Sequence, residues 1–64
     1  MQKQKKYVVR VMRWNRQAGE YEPELHEFRE EAQAEHFYRS TCVSDDTPEI
    51  SMYDRDGNLM GRKD

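Results

Sequence analysis

The sequence predicts a small α+β domain of order ββαβ(β), an antiparallel sheet with one helix packed on one face. Three observations carry this. Two β-branched and aromatic segments, "YVVRVMRW" and "EYEPELHEF", flank a short polar turn, "NRQAG". One later segment, "REEAQAEHFYRSTC", repeats its apolar groups at helical spacing. A third extended segment, "EISMYD", then runs into an Asp-Gly turn.

Residues 5–14 read as the first strand, with neither Gly nor Pro inside. Asn15 and Gly19 tolerate the positive φ that a bulged hairpin loop requires. Residues 20–28 form the second strand, with Tyr21 and Leu25 in one register. Pro23 has no N–H for a ladder, so this strand is expected at an edge or bulged there. Residues 29–42 read as the helix, with Ala34, Phe37, Tyr38 and Thr41 on one stripe. Glu30 and Glu31 in its first turn and Arg39 near its end suit the helix dipole. No Ser, Thr, Asp or Asn precedes the stripe to cap it. "SDDTP" ends the helix, Pro48 opens the third strand, and "LMG" after "DRDGN" is a stub of a fourth. The 64 residues make one domain, with 1–4 and 62–64 expected to be flexible tails.

Apolar residues are 34% of the chain and charged residues 38%, a thin supply for a core that seven aromatics enlarge. The charges are segregated. Residues 1–19 hold Lys3, Lys5, Lys6, Arg10, Arg13 and Arg16 and no acid, whereas residues 20–35 hold seven glutamates against Arg29 alone. Pairing the first two strands antiparallel sets these blocks face to face, where each opposite-charge pair contributes roughly 0.2–1 kcal/mol.

The first strand poses the functional question, because both its faces carry apolar groups. Tyr7, Val9 and Val11 are unbroken in one register, whereas Val8, Arg10, Met12 and Trp14 have a cation in the other. Burying an unpaired guanidinium costs several kcal/mol, so the unbroken register is expected to face the helix. Val8, Arg10, Met12 and Trp14 are then left on an open face whose Trp, Met and Arg match the composition of interface cores. The alternative is that Trp14 packs across the strands on Tyr21 or Phe28 and only thickens the sheet.

The first reading is therefore a small non-enzymatic protein-binding module, its partner a protein or a second copy of itself. Trp14, Met12, Arg10 and Val8 are the anchors, and Glu20, Glu22 and Glu24 on one strand face supply electrostatic steering. Two alternatives use the charge blocks: nucleic-acid binding through Lys3, Lys5, Lys6, Arg10 and Trp14, or an acidic row that imitates DNA and blocks a DNA-binding protein.

Catalysis and metal binding find no support. His26 and His36 are ten apart, and "HEFRE" lacks the second histidine of a zinc helix. "DRDGN" aligned as a calcium loop on Gly57 places Met52 and Lys63 at the end ligand positions. No metal, cofactor or small-molecule substrate is implied. Cys42, the only cysteine, forms no intramolecular disulfide and is expected to be a small buried hydrophobe. No apolar run of membrane-span or signal-peptide length occurs, so a cytoplasmic setting without membrane contact is expected.

The layout of strands "YVVRVMRW" and "EYEPELHEF", helix "REEAQAEHFYRS" and "PEISMYDRDGNLM", acidic and opening at Met1, resembles the small accessory and host-inhibitory proteins encoded by bacteriophages. That resemblance implies a viral protein acting in the host cytoplasm as an inhibitor that occupies a host protein surface. It carries over no functional residue.

Overall fold

The computed structural model describes residues 5–64. Strand β1 (Tyr7–Asn15) and strand β2 (Glu20–Phe28) form a hairpin, followed by helix α1 (Glu31–Ser40). Strands β3 (Glu49–Tyr53) and β4 (Leu59–Lys63) form a second hairpin. All neighbours are antiparallel, in the order β2-β1-β3-β4. The two strands richest in β-branched residues thus lie in the middle, and β2, which carries Pro23, is an edge, where a missing N–H breaks no second ladder. The fourth strand is longer than its apolar stub predicts. Arg62 and Lys63 pair with Ser51 and Ile50, so they belong to the sheet, and Asp64 ion-pairs with Arg62 at 3.1 Å. The expected flexibility of residues 1–4 lies outside the described residues.

The helix covers one face of the central strand pair. Val9 and Val11 of β1 and Ile50 of β3 are fully buried with Ala34 of the helix, and Met52 nearly so. Tyr7, Phe28, Phe37 and Tyr38 pack around them. Direct cross-strand partners share a face, and Val9 is opposite Met52 and Val11 opposite Ile50, so the aliphatic row continues across the sheet. Gly61, opposite Met52, gives Tyr38 its place: a Cβ there would lie 3.2 Å from the phenol oxygen. Burial raises the Tyr38 pKa.

Helix α1 has Glu30 at its N-cap position and no side-chain cap hydrogen bond, as the absent Ser, Thr, Asp or Asn predicts. Its other end is held by tertiary contact: Lys63 Nζ donates to the Thr41 carbonyl at 2.6 Å and lies 4.7 Å from the Tyr38 ring centre. A cation on the last carbonyls complements the negative end of the dipole. Cys42, one residue on, is exposed. The buried position expected for it fails because the helix ends at Ser40, so Cys42 is not carried on the helix face that packs on the sheet.

The turns use local chemistry. Among the described residues, Gly19 and Gly57 are the ones with positive φ, +69° and +87°. The Asp54 carboxylate accepts the N–H groups of Asp56 and Asn58 at 2.8 and 2.9 Å, which holds its pKa below the usual range.

The charge blocks meet as the hairpin requires. Lys6 lies 3.7 Å from Glu27 and Arg13 lies 3.1 Å from Glu24, both diagonal, two residues off the direct pairing. Asn15 donates to Glu22. Ile50→Ala is expected to lower unfolding free energy by about 2–5 kcal/mol in urea denaturation, because the site is closed by strands on two sides and by the helix.

Candidate functional site

The open face of the sheet is read directly from the register. On β1 it carries Val8, Arg10, Met12 and Trp14; opposite them on β2 stand Glu27, Leu25, Pro23 and Tyr21. On β3, Glu49, Ser51 and Tyr53 continue it. The four β1 residues singled out in the sequence therefore share one face, away from the helix.

This face has two halves. The β1–β2 half is apolar from Leu25 to the Trp14 corner, with Glu27 at its far end. The Trp14 and Tyr21 rings meet edge to face, 4.9 Å between centres, yet the residues remain 41% and 46% exposed, and Leu25 is 63% exposed. Backbone contacts fix this corner: the Trp14 N–H donates to the Asp46 carbonyl at 2.8 Å, and the Tyr21 hydroxyl donates to the Asp45 carbonyl at 3.3 Å. The partner of Trp14 is Tyr21; Phe28 lies on the helix side with Tyr7 and Phe37.

The β1–β3–β4 half is charged and internally paired. Arg10 Nη2 donates to Glu49 Oε1 at 2.7 Å, and Arg62 Nη2 lies 3.2 Å from Glu49 Oε2. The Ser51 hydroxyl donates to the same Glu49 Oε1 at 3.4 Å, and Ser51 is buried beneath these side chains although no helix covers it. The Arg10 guanidinium also sits 6.0 Å from the Tyr53 ring centre. Its Nε is buried without a hydrogen-bond partner among the described residues.

Glu20, Glu22 and Glu24 are placed elsewhere. They stand opposite Asn15, Arg13 and Val11, on the helix side of the sheet, at the hairpin end that the helix leaves uncovered. They belong to the other register from Trp14, although Glu22 and Glu24 line one recess of about 420 Å³ with Trp14, Arg13 and Pro23 at the hairpin end. Glu22 and Glu24 are also occupied: His26 Nε2 lies 2.5 Å from Glu24, whose carboxyl is held below its usual range by that contact and by Arg13. Their alternation along β2 marks a shared face; which face needs the register with β1. The members that sequence reasoning left out of the site are Tyr21, Pro23, Leu25, Glu49, Tyr53 and Arg62. Tyr21 and Leu25 share a register in the sequence, but only pairing with β1 sets them beside Trp14.

No group of three His, Cys, Asp or Glu side chains among the described residues is arranged to hold a metal ion, and none of their helices is long and apolar enough to cross a membrane. Comparison with protein-family models, with curated proteins and with solved structures finds no match.

A depressed carboxylate pKa fixes the sign of an acid effect. The stabilisation linked to Glu24 is complete above the ordinary glutamate pKa and is lost as pH falls through the lower folded-state value. Glu24→Gln is therefore expected to flatten the fall in stability below about pH 4.5, measured by urea midpoints between neutral and acid pH.

Proposed function

We propose that this chain is a non-enzymatic protein-binding module that acts by occupying a partner protein's surface with its open sheet face. One observation carries the reading: Trp14, Tyr21, Leu25, Met12 and Pro23 are gathered on a face that no element among the described residues covers. Large aromatic and aliphatic groups left in water are worth roughly 25 cal/mol per Å² when a partner removes them from it. A rigid sheet presents them without the ordering cost that a loop would incur. Trp14 is held at its corner by Tyr21 and by a backbone hydrogen bond, so it meets a partner already oriented.

The charged half supplies selectivity rather than bulk affinity. Arg10 and Arg62 share Glu49, and Arg62 also pairs with Asp64, so an apposed surface meets a polar pattern that is already neutralised within the module. Such a partner needs an apolar patch against β1–β2 and few buried charges against β3, because an uncompensated buried charge costs several kcal/mol. An inhibitory role of the kind implied by the layout resemblance requires no chemistry beyond this occupation.

The charge-based readings have less support. Arg10, Arg13, Lys5 and Lys6 each have an acidic neighbour within the domain, so they form no free cationic track for a nucleic-acid backbone beside Trp14. Lys3 lies outside the described residues. The acidic row loses much of its value as a DNA mimic because Asn15, Arg13 and His26 engage two of its three members.

A photoreactive phenylalanine analogue at Leu25 is expected to cross-link one discrete protein in cells of the native host, and Trp14→Ala is expected to abolish the adduct. The same probe at Gln33, on the helix, should give none. Equal adducts at both positions, or none at residue 25 from folded protein, would defeat the reading.

A further inference from the structure

At the end of the sheet remote from the Trp14 corner, four cations converge on one recess. Lys5 and Lys6 come from the segment leading into β1, Arg29 from the link between β2 and α1, and Arg55 from the β3–β4 turn. These side chains line a recess of about 170 Å³ with no acid or apolar side chain in its wall. Three separate segments thus deliver like charges to one concavity in a chain whose net charge is −2.

Like charges brought together are unfavourable unless something neutralises them. Two acids at the margin do so in part. Asp56 lies 3.3 Å from Lys5, both side chains exposed, and Glu27 lies 3.7 Å from the half-buried Lys6. Arg29 and Arg55 have no acidic partner within ion-pair distance among the described residues. Two of the four charges are therefore offset and two remain, both guanidiniums, whose planar forks match phosphate oxygens in bidentate fashion.

We infer that this recess binds a single phosphate group, with Arg29 and Arg55 as the bidentate contacts and Lys5 and Lys6 as supporting charges. The residual charge of +2 complements a phosphate dianion. A nucleic-acid backbone fits less well, because it needs cations spaced along a path. The next cations of the chain, Arg10 and Arg13, are committed to Glu49 and Glu24 on opposite faces of the sheet. The recess lies at the end of the sheet opposite the Trp14, Tyr21 and Leu25 cluster, so its fate and that of the docking surface are independent.

The test is a titration of the ¹⁵N-labelled protein with inorganic phosphate, followed by backbone and arginine Nε–H resonances, with chloride holding ionic strength constant. Saturable shifts centred on Lys5, Lys6, Arg29 and Arg55 are expected, with half-saturation below about 1 mM. Arg29→Ala and Arg55→Ala should each weaken binding about tenfold, whereas Arg39→Ala, on the outer helix, should leave it unchanged; an unaltered amide spectrum elsewhere shows that each variant is folded. Repeating the titration with AMP and with O-phosphoserine separates a nucleotide from a phosphorylated side chain as the source of the group. Shifts that fail to saturate, or that survive both substitutions, overturn the proposal. So does tighter binding of a single-stranded oligonucleotide lacking terminal phosphates, with shifts spreading to Arg13 and Arg16.

Discussion

One helix cannot cover two faces of a sheet, and most features of this protein follow from that limit. Among the described residues, the fully or nearly fully buried apolar set is Val9, Val11, Ala34, Ile50 and Met52, a single layer between helix α1 and the central strands. A domain of this size buries only about 60% of its unfolded surface. The helix goes where the aliphatic register is unbroken, and the opposite face keeps whatever the strands must also carry.

That opposite face is managed by two different means. Toward β3 and β4, Glu49 gathers Arg10, Arg62 and the Ser51 hydroxyl into a paired layer over the sheet. Toward β2 no such layer forms, and Trp14, Tyr21 and Leu25 stand at the surface. Scattered exposed apolar residues need no explanation, but adjacent large ones on a flat, rigid face have the character of an interaction site. The difference between the halves is why the docking proposal rests on β1–β2.

Charge does structural duty across the first hairpin. Lys6 with Glu27 and Arg13 with Glu24 tie a basic strand to an acidic one, and these exposed pairs are worth little individually. Their larger effect is on register: a one-residue slip would move Val9 and Val11 to the Arg10 face and misalign the opposite charges. The edge position of β2, with Pro23 and its glutamates, also discourages pairing with another sheet edge. The cations gathered at Arg29 and Arg55 have no such local role.

The order of elements, the bounds of β2, the helix stripe and the inward side of β1 were all legible in the chain, because each depends on local periodicity or on the cost of burying one guanidinium. Val8, Arg10, Met12 and Trp14 share a face through the pleat of a single strand, which the sequence by itself determines. Where Glu20, Glu22 and Glu24 point relative to Trp14 depended on the pairing of two strands, and a period of two leaves that choice open until register is set. The exposure of Cys42, the extension of β4 to Lys63 and the capture of the helix end by that lysine were likewise decided only in three dimensions. So was the meeting of Lys5, Lys6, Arg29 and Arg55. Such contacts join residues far apart along the chain, and no local pattern of hydrophobicity or charge encodes which distant side chains the packed sheet will bring together.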